Sequence, residues 1–387
     1  MQLISLEIDD PKAGWRLSKA DFFSDVTLMV GLSGVGKTRI LDSVRRLVAI
    51  ASGKSSASFW GFKWELVFSH ANVHYKWIGE YEKPRLPDDS PEIFDLAFID
   101  DDDDNALKPN LISEKLFRER KVVASRDETE IKLDGKTTPK LSNNESFIHL
   151  LRNEDKISSA FRGMDSILFV DHSEVHSPGR FVSFGRNFDN LKKKFKTIEE
   201  IRSKDMPTHL KLALAHENCR EVFDDIFRQF QDAFPSVKAI HFKFVEAGPF
   251  GMIPRLYMTE TGVDSPIAEE SISSGMHRTL MHLSRMALWP DGTVVLIDEF
   301  ENSFGVNCID FVTHDLQIHS RRMQFILTSH HPYIINNISM KNWKIVSRRG
   351  QVVVVEGTER LQSKSSQHEA FLQLLNLPQY AEGIAPE

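Results

Sequence analysis

The stretch Met29–Leu47, MVGLSGVGKTRILDSVRRL, decides how the rest of the chain is read. A glycine-rich turn separates the apolar run Val26–Val30 from a segment whose apolar residues, Ile40, Leu41, Val44, Leu47 and Val48, recur at helical spacing. Arg45 and Arg46 fall on the opposite face of that helix. Gly31-Leu-Ser-Gly-Val-Gly36-Lys37-Thr38 fits the pattern G-x-x-x-x-G-K-[ST], with the strand before it and the helix after it that the pattern requires. Glycines let the backbone turn tightly around an anion, its N–H groups point inward, and the helix N-terminus adds positive potential. Lys37 would reach the β- and γ-phosphates of a nucleotide, and the Thr38 hydroxyl would hold Mg²⁺. The candidate nucleotide contacts in this stretch are Gly31, Ser33, Gly34, Gly36, Lys37, Thr38 and Arg39.

Three later stretches gain meaning from this one. Thr293-Val-Val-Leu-Ile-Asp298-Glu299 is a buried strand ending in two acids. Asp298 would hold Mg²⁺, and Glu299 is placed to orient and deprotonate an attacking water. Read alone, the pair is a strand ending in a solvated acidic turn. Ser271-Ile-Ser273-Ser274-Gly275-Met276-His277 precedes an amphipathic stretch, and taken by itself it is a serine N-cap. Leu327-Thr328-Ser329-His330-His331-Pro332 follows an apolar strand one strand-helix unit beyond Asp298. A lone histidine there is more often a packing residue, but in this company a histidine at the strand end, His330 or His331, falls near the expected γ-phosphate.

The bulk numbers agree with a soluble enzyme-sized chain. The protein has 387 residues, 41% of them hydrophobic and 27% charged, which allows a large core and two lobes. No apolar run approaches the ~20 residues of a membrane helix, and MQLISLEIDD has no signal-peptide pattern. Two cysteines make no disulfide framework, so a reducing cytoplasm is expected and no membrane partner. A net charge of −7 excludes the chain as a whole from binding polyanions, though a local basic patch remains open.

Patterning predicts strands at 2–8, 15–22 and 26–30, an antiparallel hairpin within Phe59–Tyr81, mixed short elements over Glu114–Lys136 and helix over Asn144–Phe161. A strand at Ser166–Val170 and mostly helix over Phe188–Phe234 follow, then strands at Ala239–Glu246 and Arg255–Thr261. The tail alternates: helix 273–288, strand 293–297, helix 307–319, strand 323–328, helix 332–338, strands within 343–356 and helix 366–376. Strand-helix alternation at both ends implies a parallel sheet with helices on its faces.

In this order, the glycine loop, an (L/I)S(S/G)G-like signature, an acidic strand end and a TSH-type histidine resemble ABC-type ATPase heads. The resemblance covers roughly residues 1–80 and 235–360. Within that superfamily the chain is similar to RecF/OLD/SMC-like AAA ATPases of genome maintenance and phage defence: DEFEN (298–302) resembles their DEPEN, and TSHHP (328–332) their TTHSP. The chain also resembles the ATPase subunits of two-gene defence systems such as PARIS and Septu. The resemblance implies an α/β P-loop NTPase fold of the ABC-head type, a mixed central sheet with flanking helices and an antiparallel β subdomain, carrying a mainly helical insert. It implies residues 1–80 and 236–387 as the two halves of the head and 81–235 as the insert.

The same resemblance implies ATP and Mg²⁺ as ligands, with Lys37, Glu299 and His330 as catalytic residues and Thr38 and Asp298 as metal ligands. Two heads would clasp ATP head-to-tail, with Ser273 and Gly275 touching the γ-phosphate held at Gly31–Thr38 of the other copy. The partner is then a second copy, in a homodimer or a higher even-numbered oligomer, and Glu301–Gly305 would match the D-loop. The family's Q-loop glutamine is left unassigned: after the strand Ser166–Val170 the chain reads DHSEVH, where Asp171 or His172 would stand in its place unless the register differs.

Other readings stay open at this level. His172 and His176 are spaced as metal ligands on a helix would be, but the flanking strand and Ser177-Pro-Gly favour an ordinary loop. Asp100–Asp104 is a solvated acidic loop, or a metal or DNA-mimicking element. Lys192–Lys194 with Lys196 is a solvated helix face, or a nucleic-acid contact. Residues 331–387 leave no room for the TOPRIM domain of OLD nucleases, so the expected role is an ATPase that controls a separate effector from a neighbouring gene, in antiphage defence. The competing roles are a RecF-like DNA-binding repair ATPase and a scaffold that binds ATP with little turnover.

Overall fold

A computed structural model of the chain describes residues 1–84, 108–170, 188–246, 252–302, 304–358, 361 and 366–385. The acidic run 100–104 and the DHSEVH stretch at 171–176, with its metal and Q-loop readings, lie outside the described residues.

The chain opens with strands β1 (Gln2–Asp10), β2 (Trp15–Asp21) and β3 (Val26–Val30), then helix α1 (Lys37–Ala51). Strands β4 (Lys63–His70), β5 (Val73–Tyr81), β6 (Leu111–Arg118), β7 (Lys121–Arg126), β8 (Ile131–Leu133) and β9 (Lys136–Thr137) follow. Helices α2 (Phe147–Leu150) and α3 (Asp155–Asp165) lead to strand β10 (Ile167–Val170). Next come helices α4 (Phe188–Lys194), α5 (Ile198–Ser203), α6 (Thr208–Asn218) and α7 (Arg220–Ala233), and strands β11 (Val237–Glu246), β12 (Met252–Glu260) and β13 (Ile267–Ala268). Helix α8 (Ser274–Leu288), strand β14 (Val294–Ile297), helix α9 (Val306–His319), strand β15 (Gln324–Thr328) and helix α10 (Pro332–Asn337) bring the chain to strands β16 (Trp343–Arg349) and β17 (Val352–Glu356). Helices α11 (Gln367–Leu375) and α12 (Pro378–Ala381) come last.

Two compact units emerge. One holds Met1–Val170, Gly292–Phe300 and Met323–Glu387; the other holds the remainder, including α4–α9 and β11–β13. The stretch 81–235, expected as a single insert, is thus divided between them: β6–β9 extend the sheet of the first unit rather than forming a separate body.

The first unit is built on a 14-stranded sheet of order β10-β14-β15-β3-β16-β17-β2-β1-β4-β5-β6-β7-β8-β9. Neighbours from β10 to β16 run parallel, whereas β1, β2 and β4–β9 pair antiparallel. The three central parallel strands, β14, β15 and β3, are buried along their length, as strands covered on both faces must be. Ile40, Leu41, Val44, Leu47 and Ile50 of α1 join the core of this unit.

Arg46 departs from the polar face that helical spacing assigns to it. Its guanidinium pairs with Asp10, whose side chain is buried, and lies 4.1 Å from the centre of the Phe62 ring. The end of β1 and the turn just before β4 bring an acid and the aromatic ring to that flank of α1, so a charge that periodicity would send to water is used against them.

The second unit packs α6, α7 and α8 against the sheet β11-β12-β13. The carbonyls that end α8 have no helical partners, and three cations take them: Arg202 donates to Ala287 O at 2.9 Å, Lys211 to Leu288 O at 3.3 Å, and Arg322 to Trp289 O at 3.2 Å. Burial pushes the Lys211 ammonium down to about 8.

Candidate nucleotide site

The site grows from the strand order. β15 lies between β14 and β3, so the residues leaving the ends of these three parallel strands meet at one edge of the sheet. That edge is where open α/β folds bind ligands. β3 runs into the glycine loop, β14 into Asp298 and Glu299, and β15 into Thr328, Ser329 and His330.

The loop Gly31–Gly36 bends by positive φ at Gly31, Gly34 and Gly36. Gly31 cannot be replaced without movement, because a Cβ there would stand 2.3 Å from the carbonyl oxygen of Val346. Leu32, Ser33 and Gly34 are exposed, and Val35 is buried beneath them. Lys37 opens α1, buried, with Nζ donating to the carbonyls of Gly31 at 2.8 Å and Leu32 at 3.0 Å. The ammonium thus lies within the loop that sequence assigned to phosphate. Arg39 is exposed, its guanidinium 5.9 Å from the centre of the Trp15 ring.

The acids of the β14 end are tied to both neighbours. The Thr38 hydroxyl donates to Asp298 Oδ2 at 2.9 Å, and the Thr328 hydroxyl donates to Asp298 Oδ1 at 2.6 Å. Thr328 Oγ1 also accepts the backbone N–H of Glu299 at 2.8 Å, and Thr328 O accepts that of Phe300 at 2.9 Å. Glu299 itself has φ of +47°, a left-handed conformation that costs a non-glycine residue free energy, and its side chain is exposed. His330 is partly buried two residues beyond Thr328, and the Ser329 hydroxyl fixes the turn by accepting the N–H of His331 at 3.0 Å.

The hydroxyl of Thr38 and the carboxylate of Asp298 are hard oxygen donors beside a phosphate-type loop, a donor set that suits Mg²⁺. Asp42, one turn along α1 from Thr38, adds to the negative field: burial pushes its carboxyl up, Arg45 draws it down and Asp298 pushes it up again, leaving it raised. Sequence patterning gave no role to Asp42 or Thr328. A threonine ending a strand reads as β-propensity, and an aspartate on a helix as solvated surface.

Ser273 and Gly275 lie in the second unit. Ser273 is the N-cap of α8, its Oγ accepting the N–H of Met276 at 3.3 Å. A side chain at Gly275 would meet nothing nearer than Gly305 N at 3.7 Å. Arg278 reaches from the same helix to the carbonyl of Asn302 at 3.4 Å, joining α8 to the segment that precedes α9.

With this geometry in place, comparison with known proteins is decisive for the family. Residues 26–336 match the family model described as "AAA domain, putative AbiEii toxin, Type IV TA system". The chain belongs to this AAA family. Its span takes in the glycine loop, the α8 N-terminus, Asp298, Glu299 and His330, and the AAA domain has the α/β P-loop NTPase fold expected from its motifs. Among solved structures, the SMC head bound to the C-winged helix domain of ScpA resembles this AAA protein with a TM-score of 0.48 at 16% identity, covering 92% of this chain and 97% of that one. The SMC head domain from Thermotoga maritima gives 0.44 at 13% identity, covering 92% and 99%. A Pyrococcus furiosus Smc head with an extended coiled coil, bound to the C-terminal domain of ScpA, gives 0.42 at 14%, covering 96% and 98%. No curated protein matches this AAA chain. Among the described residues, no helix is long and apolar enough to cross a membrane.

Proposed function

We propose that the protein binds and hydrolyses ATP, that two copies clasp the nucleotide head-to-tail, and that this engagement controls a separate effector protein in bacterial antiphage defence, in the cytoplasm. The observation that carries the reading is the chain of contacts from the Thr38 hydroxyl to the Asp298 carboxylate, the Thr328 hydroxyl and the Glu299 backbone N–H beside the glycine loop. Gly31, Ser33, Gly34 and Gly36 offer backbone N–H groups and space for a triphosphate, and Arg39 beside Trp15 offers a cationic flank. Lys37 would exchange its two carbonyl acceptors for phosphate oxygens, which bind an ammonium more strongly than neutral carbonyls do.

Thr38 and Asp298 would hold Mg²⁺, which when bound supplies charge neutralisation for the phosphates. Glu299 would act as general base toward water. Its left-handed backbone, held by Thr328, keeps an exposed carboxylate at the strand end rather than folded along the sheet. His330, at the end of the neighbouring strand, would sense the γ-phosphate.

Gly275 supports the head-to-tail part. A glycine in the first turn of a helix costs stability, and packing within its own unit does not demand one there. Close approach by a ligand on another copy explains it, with the Ser273 hydroxyl and the α8 N-terminus as complementary donors.

The test is direct. Lys37→Ala should abolish binding of a fluorescent ATP analogue. Glu299→Gln should bind it, stop turnover and accumulate nucleotide-dependent dimers by light scattering. Hydrolysis by Glu299→Gln at the wild-type rate would remove the general-base assignment.

A further inference from the structure

Strand β3 pairs with β16 as far as Val30, which faces Ile345, and then leaves the sheet to become the glycine loop. The edge of β16 that it vacates is taken by the other end of the described chain. The Arg348 N–H donates to Gly383 O at 2.7 Å, the Ala385 N–H donates to Arg348 O at 3.1 Å, and Ile384 forms a parallel bridge with Arg348. On the other edge of β16, Arg348 faces Val353 of β17. The segment is thus stitched into the sheet where the phosphate loop departs from it.

This places Gly383 against the back of the loop. A Cβ on Gly383 would stand 2.8 Å from Val35 Cγ1 and 3.5 Å from Leu32 Cβ. Its φ of +69° is in the left-handed region, so both conformation and space call for glycine. Gln379 and Ala385 on either side of it are buried, whereas Leu32 and Ile384 are exposed. Val35 carries the buried side chain of the loop, and its position fixes how the flanking N–H groups point.

We propose that residues 378–385 form a strap that sets the shape of the glycine loop, with Gly383 as a positioning residue for nucleotide binding. This rests on reading Gly31–Thr38 as a nucleotide site. A methyl at residue 383 pushes Val35, Val35 tilts the loop, and the N–H groups lose their convergence on the phosphates. Tight packing converts a shift of tenths of an ångström into a discrete change of loop shape, because interiors leave no slack to absorb it.

The experiment is a double-mutant cycle on the full chain, read by the Kd of a fluorescent ATP analogue with Mg²⁺ and by thermal unfolding. Gly383→Ala should weaken binding about 10-fold or more, in line with a misplaced binding loop. In a Val35→Ala background, which removes the opposing methyl, Gly383→Ala should change Kd less than about 2-fold, and this background keeps the test usable if Gly383→Ala alone folds poorly. Gly135→Ala supplies the control for backbone strain: Gly135 has φ of +76° with no atom within 4 Å of a Cβ, so it should lose stability and keep wild-type affinity. The strap is overturned if Gly383→Ala binds like the wild type, or if its loss is undiminished in the Val35→Ala background. A wild-type chain that binds no nucleotide overturns the nucleotide reading instead, and the strap with it.

Discussion

The Thr328 hydroxyl donates to Asp298 Oδ1 at 2.6 Å. The same oxygen accepts the N–H of Glu299 at 2.8 Å, so one threonine on the central strand of the site orients both acids of its neighbour. Thr328→Val keeps shape and β-propensity but removes donor and acceptor together. The N–H of Glu299 then loses the hydroxyl that accepts it, and the bond from Phe300 N–H to Thr328 O is left to hold the turn. We expect ATP turnover to fall about 10- to 100-fold, the usual cost of misplacing a catalytic group, with nucleotide affinity changed only a few-fold and Thr328→Ser close to wild type. Steady-state kinetics on the two variants decide it; a wild-type kcat for Thr328→Val would remove Thr328 from the site.

Gly275→Ala separates folding from assembly. The nearest atom to the new methyl would be Gly305 N at 3.7 Å, an ordinary contact, and alanine is the better helix former. The variant should gain about 0.5–1 kcal/mol of stability. If two copies clasp nucleotide head-to-tail as proposed, it should also lose nucleotide-dependent dimerisation, since the methyl would then stand in the path of the other copy's phosphate. Thermal unfolding paired with analytical ultracentrifugation in the presence of ATP and Glu299→Gln gives both readings. Stable dimers of the Gly275→Ala, Glu299→Gln double variant would count against the head-to-tail clasp.

What could be read in advance follows burial. The strands β3, β14 and β15 are buried on both faces and appear in sequence as mostly apolar runs, and the polar residues just past them stand out against that background. The loop from Gly31 to Thr38 is legible because few backbones other than a phosphate cradle need so many glycines followed by Lys-Thr. Thr328 was illegible because a strand tolerates threonine for its shape alone. Arg46 misled helical periodicity because its partners, Asp10 and Phe62, lie outside the helix, at the end of β1 and just before β4. The strands β6–β9 were blurred by the shortness of β8 and β9 and by left-handed turns at Glu119, Arg120 and Asp134. Their membership of the main sheet depends on pairing that no local pattern encodes.

The aromatic strands β4–β6 depend on a buried acid. Glu114 Oε1 accepts from Trp77 Nε1 at 2.9 Å and from the Ser146 hydroxyl, and Oε2 accepts the N–H of Phe147 at 2.9 Å. Burial pushes this carboxyl up despite the help of Arg126 and these donors. Glu114→Gln keeps the shape but can offer only one oxygen, so its NH₂ must face a donor. The expected loss is about 1–3 kcal/mol, the penalty for leaving a buried polar group unmatched. It should appear as a lower unfolding temperature with unchanged nucleotide affinity; a wild-type melting temperature would show that the network relaxes without cost.

Acid sensitivity should be traceable to His209 on α6. Burial pushes its imidazole down from 6.5 to about 4, with Glu269 raising it and His277 lowering it. The sign follows from proton counting. Above pH 6.5 the ring is neutral in both folded and unfolded chains and adds no pH dependence. Between about 6.5 and 4 the unfolded chain binds a proton that the folded chain refuses, so stability falls as pH falls. Below about 4 both forms are charged and the loss is complete, with an upper limit of about 3 kcal/mol. His209→Leu removes the titration, so the difference in unfolding free energy between wild type and variant should shift by that amount between pH 7.5 and pH 4, in favour of the variant at low pH. Parallel pH profiles for the two proteins in denaturant titrations would show that His209 titrates normally in the folded chain.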